Sequence, residues 1–476
     1  MSGRSPAERL REAPVTVAIR AALGERAERA WVVGGAVRDI ALGEPVTDLD
    51  IAVAEDPRGV AAAIARATGG TSFELSAEFE TWRAIGPSGE WQADVTPLRG
   101  EGIEDDLAAR DFTIGAVAVP LDAGEAIDPA GGLADLDRGV LRVVSPKSFA
   151  DDPLRLLRAA RLAAGLGLEI DAATVALARS DAWRAGGPAG ERQLGELRLL
   201  VAGPDPLRGL GLMDDLGITA EVLPEVEELR GVDQTANHHL DVHGHTMTVL
   251  ERTLEVTADL DRYAGERAEQ VRDLLAEPLA DEMTRGDALR FGAIVHDVGK
   301  PATKGEWEGR VTFIGHDEVG AEIVGGMFGR LRASRRLTRH LQALTLHHLR
   351  LGFMVHERPL PARRVHDYLR ATEPVGVDVT LLTVADRLAA RGSGPIASEE
   401  MVNAHLDLAR EMIAAALDWR RDGPPERLIG GDELAAELGI PEGPELGRLL
   451  AELEAAQYAG EVATREQAVA HAREAV

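Results

Sequence analysis

Short apolar runs alternate with stretches of helical spacing over residues 1–150, and this pattern predicts an α/β domain. The runs are short enough to be strands, whereas the stretches between them place apolar residues on one helix face. From residue 151 onward the pattern becomes helical. We therefore predict a multidomain α/β and all-α chain whose N-terminal head contains a mixed sheet. The predicted strands are Ala30–Val33, Leu49–Val53, Ala84–Gly86, Gln92–Pro97 and Thr113–Val119.

Changes in this pattern divide the chain into four parts. Leu154, Leu157 and Ala160 keep the spacing of a helix face at the start of the second part. A long charged helix is expected around 251–290, and the Gly/Ser/Pro segment 391–395 is expected to be a linker. The predicted parts are a head at 1–150, a helical neck at 151–233, a His-rich helical domain at 234–395 and a helical tail at 396–476.

The composition excludes several kinds of chemistry. The chain has no cysteine, which rules out disulfides, thiolate zinc sites and cysteine nucleophiles. No segment is apolar for long enough to cross a bilayer, so we expect a cytoplasmic protein with no membrane partner. The net charge of −28 by itself argues against nucleic acid, but clusters such as Arg155, Arg158 and Arg161 could form a basic groove for RNA.

The head carries a glycine pair and then two carboxylates on a short strand. Gly34 and Gly35 follow an apolar strand and open a predicted helix, where glycine lets backbone N–H groups approach a polyphosphate. Asp48 and Asp50 lie at i and i+2 of a strand, so both side chains can hold the same divalent metals. Without the glycine pair, the two aspartates would be equally consistent with a turn residue and an edge-strand residue that have no role in metal binding. With the glycine pair they predict a magnesium-dependent nucleotidyl-transfer site.

Further polar residues downstream could complete this site. Asp94 is the candidate third carboxylate, expected to bind the Mg²⁺ that activates an incoming 3′-hydroxyl. Arg110 and Asp111 could grip a triphosphate or sugar, or form a structural salt bridge. Asp152 and Arg155 are three residues apart in a predicted helix and would share a face. They could contact the Watson–Crick edge of a base, or simply pair with each other at the surface.

Histidines and aspartates recur through the third part in combinations typical of metal sites. His296 and Asp297 are adjacent at the end of an apolar helical run, where core packing does not explain them. A single histidine is more often a satisfied core residue than a ligand, but six candidates in one domain favour a metal site. The candidates are His245, His296, Asp297, His316, Asp386 and one of the adjacent pair His347 and His348, for which we select His347.

Taken together, the motifs of the first two parts resemble the bacterial CCA-adding enzyme and poly(A) polymerase family, a branch of the DNA polymerase β nucleotidyltransferase superfamily. The resemblance implies a catalytic head and a neck that selects nucleotides. It implies that Asp48 and Asp50 bind Mg²⁺. The motifs stand in the family's order at residues 34–50, 94–99, 106–113, 128–136, 151–161 and 191–197.

The same resemblance implies which residues bind the nucleotide. Asp152 and Arg155 match the pair that serves as an amino-acid template for CTP and ATP. Ala109 stands where the family often has arginine, and Gly115 stands where it usually has asparagine. The residues expected to bind nucleotide are Gly34, Gly35, Arg38, Arg110, Asp111, Asp152, Arg155, Arg158 and Arg161.

The third part resembles the HD superfamily of metal-dependent phosphohydrolases. The match implies that Lys300 could contact phosphate. HD domains fused to such heads resemble 2′,3′-cyclic phosphodiesterases and phosphatases that act on RNA ends; the alternative is a domain that only holds tRNA. The implied ligands of one divalent metal are His245, His296, Asp297 and Asp386, with His316 and His347 supporting a second metal or the phosphate.

These observations predict template-independent addition or repair of the 3′-CCA end of tRNA from CTP and ATP, with release of pyrophosphate. The expected partners are the tRNA 3′ end and the two nucleotides. The resemblance implies that poly(A) polymerases carry a basic element where residues 71–80 are acidic here, which favours CCA addition. Enzymes that add only A or only CC share the motifs and stay open as alternatives, as does a chain that is chiefly an HD phosphohydrolase.

Overall fold

The computed structural model describes residues 4–77, 79–235, 237–392, 394 and 398–475. Glu78 of the acidic interval, and Ser393 and Pro395 of the predicted linker, lie outside the described residues. The chain forms two compact units, the first comprising Met1–Pro188 with Gly203–Glu221 and the second comprising Ala189–Ala202 with Val222–Val476. The four-part division drawn from the sequence stays a prediction.

The first unit is built around a six-stranded mixed sheet, which confirms the predicted fold class. The strand order is β3-β4-β5-β2-β1-β6, with β2 parallel to β5 and the other neighbours antiparallel. The strands are β1 (Ala30–Val33), β2 (Asp48–Val53), β3 (Thr71–Ser76), β4 (Thr81–Ile85), β5 (Gln92–Pro97) and β6 (Ala118–Pro120), followed by the short parallel pair β7 (Val140–Leu141) and β8 (Glu169–Ile170).

Helices cover one face of this sheet, and part of the other face is buried where Val33 and Ala52 pack against Leu107. Leu49 and Ile51 of β2 are buried in one core with Ile64 of α4, while the alternate residues Asp48 and Asp50 project from the opposite face. That opposite face, the open face below, carries the predicted site. The helices of this unit are α1 (Pro6–Glu12), α2 (Pro14–Leu23), α3 (Gly35–Leu42), α4 (Pro57–Thr68), α5 (Ile103–Ala108), α6 (Gly132–Asp137), α7 (Ser148–Asp151), α8 (Leu154–Leu166), α9 (Ala172–Asp181) and α11 (Pro206–Leu216).

One strand prediction in this unit is corrected, and one strand was missed. The run Thr113–Val119 is not one strand, because Thr113–Gly115 forms a 3-10 turn before the short β6. The Thr113 hydroxyl donates to the buried Asp135 carboxylate at 2.7 Å, a side-chain contact that holds the backbone in this turn. Strand β3 was missed because its half-polar sequence faces solvent at the sheet edge.

The second unit is helical. Its central helix α17 is buried and packs against α14, α20 and α23. Two short hairpins interrupt the helices, β9 (Pro278–Ala280) with β10 (Met283–Thr284) and β11 (Gly305–Trp307) with β12 (Arg310–Thr312). Helix α12 (Thr219–Val222) crosses the division between the units. The other helices are α10 (Gly190–Ala202), α13 (Pro224–Glu227), α14 (Val242–Ala258), α15 (Leu260–Ala264), α16 (Ala268–Ala276), α17 (Arg285–Val295), α18 (Lys300–Thr303), α19 (His316–Arg330), α20 (Arg335–His347), α21 (Arg350–Met354), α22 (Ala362–Thr372), α23 (Gly376–Ala389), α24 (Glu399–Asp422), α25 (Gly431–Leu438), α26 (Pro444–Tyr458) and α27 (Arg465–Glu474).

The prediction of one long charged helix around 251–290 is wrong, because the interval contains several separate helices. Asp259 ends α14 and caps α15 by accepting from the backbone N–H of Arg262, and Gly265, with φ +57°, ends α15. The hairpin β9–β10 then separates α16 from α17. Among the described residues, no helix is both long enough and apolar enough to span a membrane.

Candidate functional site

The glycine pair places backbone directly against the carboxylates of the head. The buried strand β1 ends at Val33, and Gly34 turns the chain into α3 with φ +70°. A Cβ at Gly34 would lie 2.9 Å from Nη1 of Arg110 and 3.4 Å from Oδ2 of Asp50. Only glycine therefore fits where the turn, Arg110 and Asp50 meet.

Register brings the predicted carboxylates together on the open face. Asp50 pairs directly with Asp94 across the parallel strands β2 and β5, and Asp48 shares its face. On β4, Arg83 lies opposite Asp94 and donates to both of its carboxylate oxygens, at 2.6 and 2.8 Å. Sequence reasoning missed Arg83, since its only signal is the register of the β4–β5 pair.

The carboxylate of Asp50 has a raised pKa. Although the residue is partly open to solvent, the protein atoms packed around its carboxylate disfavour the charge, and Asp94 and Asp48 add to this effect. Arg110 and Arg158 oppose it. A carboxylate that is costly to ionise beside two other carboxylates is an environment in which a divalent cation is favoured.

Arg110 is held over the glycine turn by the buried Asp106. Its Nε and Nη2 donate to Oδ2 of Asp106 at 3.0 and 2.9 Å, while Nε of Arg99 donates to the other oxygen at 2.9 Å. Burial opposes ionisation of Asp106, but the two arginines together hold its pKa below the ordinary value. Arg38 donates to its neighbour Asp39 at 2.7 Å. Sequence analysis had not assigned Asp106 this role.

Asp111 is turned inward instead of toward solvent. It accepts from the backbone N–H of Phe112 at 2.8 Å and from Nε of Arg158 at 2.9 Å. Burial opposes ionisation, yet Arg158 and that N–H lower the pKa of Asp111. A Cβ at Gly115 would lie 3.4 Å from Oδ1 of Asp111, so the asparagine of the related family would touch this carboxylate.

The two residues expected to choose the base do not share a helix face. Asp152 follows α7 and accepts at Oδ1 from the backbone N–H of Leu154, where α8 begins. Arg155 instead contacts the end of α5 and the start of α7. It donates to the carbonyl of Ala109 at 2.9 Å and to Oγ of Ser148 at 3.0 Å. Arg161 is half-buried on the same helix as Arg155. A template role for Asp152 and Arg155 stays a prediction.

The second unit gathers five of the six predicted metal ligands. His245 lies on α14, His296 and Asp297 follow α17, His316 begins α19, and Asp386 lies on α23. Nε2 of His245 is 3.0 Å from Asp386, while Nε2 of His296 and of His316 lie 3.1 and 3.4 Å from Asp297. The described residues thereby form two adjacent groups that could hold a metal, His245–His296–Asp386 and Asp297–His316–His348.

The choice between the adjacent histidines is corrected. His348 is 1% exposed, and its Nε2 lies 3.7 Å from Oδ1 of Asp297. His347 accepts instead from Nε of Arg350 at 2.9 Å, outside both groups. Neighbouring residues of a helix point about 100° apart, so only one of the two can face this cluster.

The tautomers of the clustered histidines suit metal ligation. Nδ1 of His296, His316 and His348 contacts the carbonyl three residues earlier, at 2.9, 2.7 and 2.6 Å. Because a carbonyl can only accept, Nδ1 carries the proton and Nε2 offers a lone pair. Within the described residues, Nε2 of His245, His296 and His316 is buried with no hydrogen bond of good geometry. The Nε2 lone pairs of His296, His316 and His348 beside the carboxylates of Asp297 and Asp386 fit a divalent cation.

Burial and charge favour the ligand-competent forms of Asp297 and His348, whereas the neighbouring Asp297 raises the pKa of His296 against the effect of burial. Burial opposes ionisation of Asp297, but His296 and Lys300 hold its pKa well below the ordinary value. Burial, reinforced by His296, lowers the pKa of His348 to about 4. His238, missed by sequence reasoning, packs 4.5 Å from the ring of His245, and burial lowers its pKa to about 3.

The cluster opens into a cavity of about 690 Å³. Lys300, whose Nζ lies 2.6 Å from Asp297, and Arg387 place cations in its wall. Phe353 lies on its rim and is 67% exposed. The cavity therefore joins a cluster able to hold metal with cations suited to a phosphate.

Comparison with known proteins fits both sites. Residues 30–142 match the poly A polymerase head domain, and residues 242–391 match the HD domain. An A-adding tRNA nucleotidyltransferase of Deinococcus radiodurans is 36% identical over 446 residues, which are 92% of this chain and 94% of that protein. The chain belongs to the tRNA nucleotidyltransferase family. This confirms the resemblance inferred from the motifs, and the protein is a nucleotidyltransferase.

Other members of the family span the chain to the same extent. A CC-adding tRNA nucleotidyltransferase of Thermus thermophilus is 33% identical, over 92% of each chain. A solved CCA-adding enzyme in its apo form shares the fold, with a TM-score of 0.64 over 99% of this chain and 97% of that one, at 21% identity. Members of this family depend on metal, and the described residues offer groups that could hold one.

Proposed function

We propose that this nucleotidyltransferase builds or repairs the 3′-CCA end of tRNA from CTP and ATP, releasing pyrophosphate. The observation that carries the proposal is the open face of the head sheet. There Asp50 and Asp94 are direct strand partners, Asp48 shares their face, and Arg110 is held over the turn at Gly34. The arrangement brings carboxylates, open backbone and a cation to one point, as transfer from a triphosphate requires.

In the proposed reaction, the 3′-oxygen of the acceptor RNA forms a bond to the α-phosphorus, the bond to pyrophosphate breaks, and the hydroxyl proton passes to water. Asp48 and Asp50 would hold Mg²⁺, and Arg83 orients Asp94 toward the attacking hydroxyl. When bound, Mg²⁺ neutralises phosphate charge and eases loss of the hydroxyl proton. Arg110 binds the departing phosphates, because Asp106 fixes its guanidinium beside Gly34.

Selection of CTP and ATP is assigned to the start of the neck. Arg155 is held by its hydrogen bonds to Ala109 and Ser148, and Asp152 lies just before α8, the helix that carries Arg155. Contact with a base requires Arg155 to exchange some of these hydrogen bonds. Arg158, on the same helix, stabilises the segment around Asp111 by donating to the carboxylate of that residue.

A second activity is proposed for the HD domain, hydrolysis of phosphate esters at RNA ends. The observation that favours it is the set of buried Nε2 atoms that lie close to Asp297 and Asp386 and, among the described residues, make no hydrogen bond of good geometry. His245, His296, Asp297 and Asp386 would hold a divalent metal, which supplies a nucleophile by lowering the pKa of bound water. Lys300 binds the phosphate.

The test is extension of tRNA that lacks its CCA end, with Mg²⁺ and CTP, ATP or both, resolved to single nucleotides. Addition of C, C and A that then stops supports the proposal. The relatives include an A-adding and a CC-adding enzyme. A product carrying only A, or only CC, would restrict the chain to that step, and a long A tail would overturn CCA addition. Incubation with a 2′,3′-cyclic phosphate RNA tests the HD proposal separately.

A further inference from the structure

An aromatic residue stands in the same row as the carboxylates of the head. Strand register places Phe73 opposite Arg83, Arg83 opposite Asp94, and Asp94 opposite Asp50. Directly paired residues project from the same side of a sheet. Phe73 therefore lies on the open face, at the edge strand β3, in line with the proposed catalytic carboxylates.

The surface around Phe73 is apolar and accessible. Phe73 and Leu75 are each 44% exposed, whereas Trp82, on the helix-covered face, packs against the core. Exposed side chains of this size on a strand edge are unfavourable unless a partner covers them. Phe73 and Leu75 thus form a small exposed apolar surface, called the platform below, on the edge strand next to Arg83.

The charges nearby favour an uncharged partner. Arg83, the nearest cation on this face, already donates twice to Asp94, so the pair is electrically neutral. Glu74 pairs with Trp82 and projects from the other face. A phosphate would find no free cation between Phe73 and Asp94 along this row of described residues, whereas a neutral ring can stack there.

The distance also matches a nucleoside. Neighbouring strands lie about 4.8 Å apart, so Phe73 is roughly 10 Å from Asp94. A ribose whose 3′-hydroxyl lies at Asp94 can extend its base across this gap. We propose that Phe73 stacks against the base of the 3′-terminal nucleotide of the acceptor RNA and so positions its 3′-hydroxyl, an inference that rests on the proposed nucleotidyl transfer.

The proposal is tested by extension kinetics with two acceptors, a tRNA lacking CCA and the same tRNA with an abasic 3′-terminal nucleotide. Phe73→Ala should raise KM for the intact tRNA by about 5- to 150-fold, because base stacking has that strength, and should leave KM for CTP unchanged. Phe73→Trp should keep KM within about twofold of the wild type, since indole also stacks. The control is Leu42→Ala, which truncates a comparably exposed apolar side chain at the end of α3.

The abasic acceptor separates stacking from a structural effect. It should raise KM for the wild type by the same factor as Phe73→Ala, and adding Phe73→Ala should cost nothing further. Additive losses, or an unchanged KM in Phe73→Ala, would overturn the proposal. A wild-type dimer that Phe73→Ala dissociates in sedimentation would also overturn it, by assigning the platform to a second copy. Failure of the wild type to extend either acceptor would instead refute the proposed function.

Discussion

Replacing Asp106 with asparagine tests how the triphosphate is held. Asp106 is 2% exposed and is shared by two arginines, with Arg110 donating twice to one oxygen and Arg99 donating to the other. The substitution preserves the size of the side chain but gives it an NH₂ group. Since a guanidinium can only donate, one of the two arginines must lose its acceptor.

The expected effect follows from that lost contact. A hydrogen bond to a charged group contributes about 1.5–3 kcal/mol, so we take the loss as about 2 kcal/mol. Where Arg110 is the residue released, it no longer stays beside Gly34, and kcat/KM for CTP and ATP should fall about 30-fold. KM for the RNA acceptor should be unchanged, because Arg110 is assigned to the departing phosphates.

Single-nucleotide extension with varied CTP, alongside thermal unfolding, is the assay. Asp105→Asn is the matched control, because the neighbouring Asp105 accepts from the backbone N–H of Glu101. Wild-type kcat/KM in well-folded Asp106→Asn and Asp106→Ala proteins would refute the role given to Arg110, because alanine leaves neither arginine an acceptor at this position. Equal losses in Asp106→Asn and Asp105→Asn would show a general effect of charge on α5.

Three further predictions follow. Arg155→Ala should relax the choice between CTP and ATP, measured as the ratio of their kcat/KM values; an unchanged ratio would remove Arg155 from base selection. Divalent metal should raise the melting temperature of the second unit in the wild type and not in Asp297→Asn, scored by calorimetry without any substrate; equal shifts would exclude the HD cluster as the site. Because the pKa of folded Asp111 lies below its ordinary value of 3.8, its stabilising effect is complete above that pH and is lost as the pH falls through the folded value. The gap in free energy of unfolding between the wild type and Asp111→Asn should therefore narrow on acidification, and a constant gap would contradict the inward ion pair.

Local motifs were predictable from the sequence because their geometry is set within a few residues. The spacing of Asp48 and Asp50 places both on one strand face, and the turn at Gly34 needs glycine for its positive φ. The apolar run before His296 is indeed a buried helix that ends at the candidate metal-binding cluster.

Contacts fixed by register or by a single turn of helix were not predictable. Arg83 reaches Asp94 only because β4 and β5 pair in one register, and no local pattern encodes it. His347 and His348 are chemically identical neighbours, so only packing of α20 decides which one faces Asp297. Thr113 begins an apolar run typical of a strand, but its hydroxyl is bound by a distant carboxylate.

The most direct test of the account compares Asp50→Asn with Asp297→Asn in tRNA extension. Each variant neutralises one carboxylate of one candidate metal site and keeps the size of the side chain. We expect Asp50→Asn to abolish nucleotide addition and Asp297→Asn to extend tRNA at the wild-type rate. Robust addition by a folded Asp50→Asn protein would contradict the assignment of transfer to the head.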